Sequence, residues 1–65
     1  MAKKSKRSIH AVKRLKIGTF LKKEDLIFKR PGFGIEPYKW KSIIGKMLLK
    51  NIKKDYWIRW QDIKK

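Results

Sequence analysis

The sequence predicts a small, mainly β domain with short one-turn helices and an internal pseudo-two-fold repeat. Four glycines and two prolines interrupt every stretch that could otherwise form a long helix. Short segments rich in β-branched and aromatic residues recur between these interruptions. Residues of similar kind also coincide when the chain is aligned with itself at an offset of 37 residues.

Five short segments are predicted to be extended, and one to be helical. The extended segments are residues 8–12, 20–21, 26–29, 46–49 and 57–58. A helix of about two turns is expected over residues 37–44, because Pro37 suits the first helical position and Glu36 lies at the positive end of the helix dipole. Gly45 follows, where a left-handed residue commonly ends a helix.

The 37-residue offset aligns two similar halves of the chain. Each half contains, in order, an apolar residue, a turn at Gly18 or Asp55, a second apolar residue and an aspartate followed by a third apolar residue. We expect that aspartate to lie in a one-turn helix. The aligned pairs include Lys13 with Lys50, Leu15 with Ile52, Lys16 with Lys53, Phe20 with Trp57, Leu21 with Ile58, Asp25 with Asp62 and Leu26 with Ile63. Two such halves could bury one shared core about a pseudo-two-fold axis.

Length and cysteine content limit the classes of protein to which the chain can belong. Its 65 residues suffice for one small domain with a marginal core. The absence of cysteine excludes disulfides and zinc-thiolate sites, and no apolar run approaches the roughly 20 residues that span a bilayer. We therefore expect a cytoplasmic protein with a basic flexible tail at residues 1–6 and a folded domain at residues 7–65.

The charge of the chain indicates polyanions as possible partners. Twenty Lys or Arg residues against five Asp or Glu residues give a net charge of +15, which would attract nucleic acid. A free-standing nucleic-acid-binding module is therefore one interpretation of the sequence. The basic residues, however, are spread along the whole chain, and no helix-turn-helix, zinc-finger or RNP-type pattern is present.

Several motifs together resemble one known family. They are Arg7-Ser8, the turn at Gly18 with Leu21 and Asp25-Leu26, the segment Lys29-Arg30-Pro31-Gly32, Gly34-Ile35 with Pro37, and Ile44-Gly45-Lys46. In this order and spacing the chain resembles, from residue 7 to residue 63, the antifreeze-like (SAF) domain at the C-terminus of sialic acid (N-acetylneuraminate) synthases. The same fold occurs in type III antifreeze proteins.

The resemblance implies a compact antifreeze-like (β-clip) fold with internal pseudo-two-fold symmetry. It also implies a role in a homodimeric enzyme, in which a barrel domain binds phosphoenolpyruvate, a divalent metal and an N-acylated sugar. The SAF domain of the partner subunit closes over that barrel, performs no chemistry and needs no cofactor itself. It presents one arginine to the N-acyl group of the sugar, and the matching position here is Arg30. The resemblance to antifreeze proteins does not extend to ice binding. Their ice-binding faces consist of small uncharged residues such as Thr, Asn and Gln, and this chain has one of each of these three.

Residue chemistry around Arg30 is compatible with this role. Pro31 restricts the backbone of the preceding residue, and Pro31-Gly32 favours a turn. A guanidinium on such a backbone can donate in a fixed planar geometry to a carbonyl or carboxylate oxygen. The alternative is that Arg30 is one of twenty basic residues on a solvated surface. Gly32 and Gly34 are expected to supply either positive φ or close backbone approach. Phe33 is expected to be either an exposed contact for the partner barrel or a local plug.

The histidine and the tryptophans have mainly structural interpretations. His10 has no second histidine or carboxylate pair at metal-ligand spacing, so we expect an ordinary strand residue and no metal site. Trp40 shares a helix face with Ile44 and is expected to pack on the core. Trp57 and Trp60 cannot easily both point inward from an extended segment, so at least one of them should be partly exposed.

Overall fold

The chain forms a two-stranded antiparallel sheet and several one-turn helices. The computed structural model describes residues 6–64. Strand β1 is Ser8–Ala11 and strand β2 is Leu26–Lys29, with Ile9 opposite Phe28. Within this part of the chain there is one α-helix, α1, at Trp40–Ile43. The 3-10 helices are Lys23–Asp25, Pro37–Lys39 and Trp60–Asp62.

The helix predicted over residues 37–44 is found at residues 37–43, because the backbone of Ile44 is already extended. It consists of the 3-10 helix Pro37–Lys39, which continues directly into α1, with Pro37 at the start. Gly45 follows at a φ of +83°, the left-handed conformation expected after a helix. Most of the predicted tail lies outside the described residues, since these begin at residue 6. Residue 65, at the end of the predicted domain, is also outside them.

The prediction of a mainly β fold overestimates the amount of regular sheet. The fold is small and mixed. Residues 8–11 and 26–29 form the sheet, whereas the other three predicted segments form isolated bridges, such as Phe20 with Met47 and His10 with Trp57. The chain turns into a 3-10 helix soon after residues 20–21 and again after residues 57–58. These turns end the pairing before a second regular ladder can form.

The 37-residue correspondence recurs in the backbone hydrogen bonds. Leu15 and Ile52 exchange a pair of bonds of 2.9 and 2.8 Å, so each residue binds its own counterpart in the other half. The N–H of Gly18 donates to Leu48 over 2.8 Å, and 37 residues later the N–H of Asp55 donates to Ala11 over 2.8 Å. Gly18 and Asp55 both have positive φ, at +90° and +67°. Each half therefore supplies hydrogen-bond partners that the other half lacks.

The two predicted one-turn helices are also equivalent. In Lys23–Asp25 the Oδ2 of Asp25 accepts the N–H of Lys22 at 3.1 Å. In Trp60–Asp62 the Oδ2 of Asp62 accepts the N–H of Arg59 at the same distance. Each aspartate thus closes its own turn by binding a backbone donor that the 3-10 helix would otherwise leave free.

A single apolar core joins the halves. Its buried members are Ile9, Ala11, Leu15, Leu21, Ile35, Ile43, Leu48, Ile52, Ile58 and Ile63. Three pairs of them stand 37 residues apart, namely Ala11 with Leu48, Leu15 with Ile52, and Leu21 with Ile58. β1 lies in the middle of this core, because Ile9 also donates to Ile35 and accepts from Ile58. All four of its residues are consequently buried.

Candidate functional site

The four predicted site residues lie together in the loop that follows β2. We call residues 30–34 the Arg30 loop. Arg30 is exposed at its start, and the Arg30–Pro31 peptide bond is cis. Within residues 6–64 the ion pairs are formed by other side chains, so the guanidinium of Arg30 is directed to no carboxylate of the described chain. It is therefore able to donate its planar set of N–H groups to a ligand or partner.

Three contacts hold the Arg30 loop against the rest of the domain. The hydroxyl of Ser8, a fully buried residue of β1, donates to the carbonyl of Pro31 at 2.7 Å. A Cβ added at Gly32 would lie 2.7 Å from the Cβ of Lys6, and one added at Gly34 would lie 2.5 Å from the carbonyl oxygen of Ile58. Both glycines therefore serve close backbone approach, whereas positive φ is found at Gly18 and Gly45.

Phe33 is exposed and is not a local plug. It is 70% exposed, and its ring meets Trp57 edge to face with centroids 5.2 Å apart. On the other side of this contact Tyr56 stacks on Trp57 at 4.4 Å and 15°. We call Phe33, Tyr56 and Trp57 the aromatic cluster. Tyr56 could not be assigned to it from sequence, because it comes from a segment more than 20 residues away and carries no motif.

The remaining tryptophans lie as the sequence predicts. Trp40 is partly buried and packs against the core. Trp60 is 41% exposed, while Ile58, which lies between Trp57 and Trp60 in the sequence, is fully buried. The alternation of an extended segment holds through Arg59 and stops where the 3-10 helix begins at Trp60.

His10 is a strand residue, as expected, but it is more deeply buried than its position in the sequence indicates. Its side chain is fully buried, and Nδ1 lies 3.0 Å from the carbonyl oxygen of Ser8. That oxygen can only accept, so Nδ1 carries the hydrogen. Nε2 has no hydrogen-bond partner among the described residues. The ring also meets Trp57 edge to face at 6.3 Å.

The surface around the Arg30 loop is positive. Five cationic residues lie in the two segments that build it, 29–34 and 53–59, against the single carboxylate of Asp55. That carboxylate is paired with the ammonium of Lys29 at 2.9 Å. The hydrogen bond from Lys29 lowers the pKa of Asp55 below its ordinary value. The net positive charge of this surface thus comes from groups other than Lys29.

Two shallow grooves on the surface do not include the Arg30 loop. One, of about 380 Å³, is lined by residues including Lys13, Arg14 and Thr19. The other, of about 310 Å³, is lined by their 37-residue counterparts Lys50, Asn51 and Tyr56. Because the grooves occur at equivalent places in both halves, they follow from the repeat itself. They are not evidence for one special site.

A comparison with protein families identifies the class of this domain. The family model described as SAF domain matches residues 6–64. The chain therefore belongs to the SAF domain family. The motif-based resemblance to an SAF domain is thereby confirmed. A comparison with curated proteins found no match.

Two further findings concern membranes and metals. None of the helices within residues 6–64 has the length and apolar character needed to cross a bilayer. Over the same residues, no three His, Asp or Glu side chains are grouped so that they could hold a metal ion. The cytoplasmic location and the absence of a cofactor in this domain stay predictions.

Proposed function

We propose that this SAF domain closes over the substrate site in the barrel of a sialic acid synthase-type enzyme and presents Arg30 to the N-acyl group of the sugar. The barrel belongs to the partner subunit of a homodimer and carries out the transfer from phosphoenolpyruvate to the sugar. The domain itself contributes binding and no bond-breaking step. Any divalent metal required by that reaction belongs to the barrel.

The main support for this proposal is the accessibility of Arg30 on a fixed loop. Arg30 is exposed, forms no ion pair within residues 6–64, and stands on a loop that Ser8, Gly32 and Gly34 hold in place. Because the loop fixes the backbone at Arg30, binding of a ligand restricts mainly the arginine side chain. An amide carbonyl is a suitable acceptor for its N–H groups. These properties are those required of a residue that reaches from one subunit into the site of another.

The recurrence of contacts at 37 residues supports the antifreeze-like (β-clip) architecture that the proposal requires. Each half provides a left-handed turn, a bridge through Leu15 or Ile52, and a 3-10 helix closed by an aspartate. The result is a pseudo-two-fold arrangement around one core. Membership of the SAF family is compatible with a synthase domain, and the resemblance of the motifs around Arg30 to those of sialic acid synthases supports this part of the proposal.

The test is steady-state kinetics of the synthase whose barrel this domain serves, assembled with wild-type or variant domain. Arg30→Ala should raise the KM of the N-acyl sugar about 10- to 100-fold, since a hydrogen bond to a charged group contributes about 1.5–3 kcal/mol. The KM of phosphoenolpyruvate should not change. Arg30→Lys should recover only part of the loss, because an ammonium lacks the planar fork.

Arg14→Ala is the matched control. Arg14 is also exposed and lies in the groove of the first half, so its replacement removes the same charge away from the Arg30 loop. The proposal predicts wild-type kinetics for this variant. Identical sugar KM values for wild type and Arg30→Ala would refute the role of Arg30, and equal effects of Arg14→Ala and Arg30→Ala would reduce that role to net charge.

A further inference from the structure

Three aromatic rings in mutual contact lie beside Arg30, and the proposed contact with a sugar does not explain them. In the aromatic cluster Phe33 is 70% exposed and Tyr56 is 44% exposed. Both touch Trp57, at centroid distances of 5.2 and 4.4 Å, so the three rings form one continuous surface. Contiguous exposed apolar surface of this kind marks interaction sites more often than scattered single residues do.

The backbone prevents Phe33 from withdrawing into the domain. Gly32 before it lies against Lys6, and Gly34 after it lies against Ile58 and Trp57. Both neighbours are therefore fixed by contacts too close to admit even a Cβ. Phe33 is held outward on a rigid segment, and a rigid aromatic ring costs little conformational entropy to bind. Such rings commonly act as the anchors of protein interfaces.

The charge of the surrounding surface defines the partner that fits. The segments 29–34 and 53–59 carry five cationic residues, of which Lys29 is paired with Asp55 and Arg59 with the buried Asp62. The other three, Arg30, Lys53 and Lys54, form no ion pair within residues 6–64 and leave this surface positive. A complementary surface must be acidic around an apolar recess. Aromatic residues and Arg are also the residue types enriched in the centres of protein interfaces.

The geometry favours a folded protein over a single-stranded nucleic acid. A base stacks on an open ring face, but Tyr56 already covers a face of Trp57 and Phe33 meets the same ring from another direction. The most exposed ring of the cluster, Phe33, projects from a tight loop, which suits insertion into a recess. The cluster is therefore better formed as a protruding anchor than as a stacking platform.

We propose that the aromatic cluster is the surface by which this domain docks on the partner barrel, with Phe33 inserted into an apolar recess that has an acidic rim. This inference rests on the proposed function for the identity of the partner. It adds that docking and sugar contact are made by different residues of the same loop. Phe33 supplies affinity for the barrel, and Arg30 reaches the sugar.

The experiment measures binding of the 65-residue chain to the separately purified barrel domain of the synthase by isothermal titration calorimetry. Phe33→Ala should raise Kd about 30-fold, the size of effect that defines an interface anchor. Tyr38→Ala is the matched control. Tyr38 is 76% exposed, so the variant loses an equally accessible aromatic ring outside the cluster. Its Kd should stay within about twofold of wild type.

A second variant tests the charge of the rim without removing the anchor. Lys54→Glu reverses one exposed charge beside Tyr56 and should raise Kd about tenfold at low salt, with the difference shrinking as salt is added. Lys16→Glu makes the same change at an exposed site of the other half and should have a much smaller effect. Since Lys54 is exposed in a turn, this variant keeps the docking surface testable if Phe33→Ala fails to fold.

The outcomes separate this inference from the proposed function. Equal Kd values for Phe33→Ala, Tyr38→Ala and wild type overturn the docking surface, even if Arg30→Ala still raises the sugar KM. A loss of docking in Phe33→Ala supports the surface, even if Arg30→Ala leaves the kinetics unchanged. Wild-type binding to a 20-nucleotide single strand at physiological salt, abolished by Phe33→Ala and with no binding to the barrel, also overturns it.

Discussion

The two buried aspartates provide a comparison within one molecule, because they occupy equivalent positions in the two halves. Asp25 accepts the N–H of Lys22, and Asp62 accepts the N–H of Arg59, both at 3.1 Å. Asp62 has an additional partner in the guanidinium of Arg59, whose Nε and Nη2 lie 3.4 Å from its oxygens. Replacing Asp62 with Ala should therefore destabilise the fold more than replacing Asp25.

The size of each effect follows from these contacts. Loss of a backbone hydrogen bond to a buried carboxylate costs about 1.5–3 kcal/mol, which is the expected loss for Asp25→Ala. The Arg59 pair adds about 0.5–1 kcal/mol at Asp62, at the modest level of a partly exposed ion pair, since the arginine side chain is 37% exposed. A 65-residue chain has a total free energy of unfolding of about 3–10 kcal/mol. Either substitution should thus lower the unfolding midpoint clearly.

Urea unfolding followed by tryptophan fluorescence measures both losses. The decisive control is the same pair of substitutions in an Arg59→Ala background, where the backbone N–H remains and the guanidinium is gone. There, Asp62→Ala and Asp25→Ala should cost the same. Asp62→Asn should retain part of the stability, because its amide oxygen can still accept from Arg59. Equal losses for Asp25→Ala and Asp62→Ala in the wild-type background, or a gap that persists in Arg59→Ala, would refute the reasoning.

Two further predictions concern the backbone and pH. Gly34→Ala should lower the free energy of unfolding by about 1–3 kcal/mol or more and shift the fluorescence emission of Trp57, because the new Cβ would meet Ile58 at 2.5 Å and Trp57 at 3.1 Å. Gly18→Ala is the control, since a Cβ there meets open space but the φ is +90°. It should lower the free energy of unfolding in chemical denaturation by about 1–2 kcal/mol and leave the emission unchanged. Asp55→Asn should be less stable than wild type near neutral pH, because the pKa of Asp55 is lowered in the folded state. Such a carboxyl stabilises the folded state at pH values above its unfolded-state pKa of about 3.9. The difference in free energy of unfolding between wild type and Asp55→Asn should close as pH falls through the folded-state pKa. A difference that does not depend on pH in urea titrations would exclude the pairing with Lys29 as its cause.

Local signals allowed much of the fold to be predicted. A proline and a glycine delimit the helix region, and the aspartates before Leu26 and Ile63 mark the two 3-10 helices. Each of these features depends on residues within one turn of the chain. The regular sheet was overestimated because the length of a ladder depends on where both partners turn, and that is a property of the assembled fold.

Long-range contacts could not be predicted in the same way. The bond from Ser8 to Pro31 joins residues 23 positions apart, and serine hydroxyls give no sequence sign of their partner. The edge-to-face contact of Phe33 with Trp57 and the complete burial of His10 likewise arise only when the segments around residues 10, 33 and 57 meet. For this reason the sequence located the Arg30 loop but could not identify its supports or its aromatic neighbours.

The position of the Arg30 loop relative to the repeat explains how a symmetric domain can carry an asymmetric site. The repeated contacts relate residues 11–25 to residues 48–62, and residues 30–42 lie between these two segments. Substitutions in the paired segments must satisfy the contacts of both halves, such as the two bonds between Leu15 and Ile52. The connecting segment is free of that requirement, yet Gly32 and Gly34 attach it firmly to the repeated core. It can therefore present Arg30 and Phe33 in one fixed orientation without disturbing the interactions that stabilise the fold.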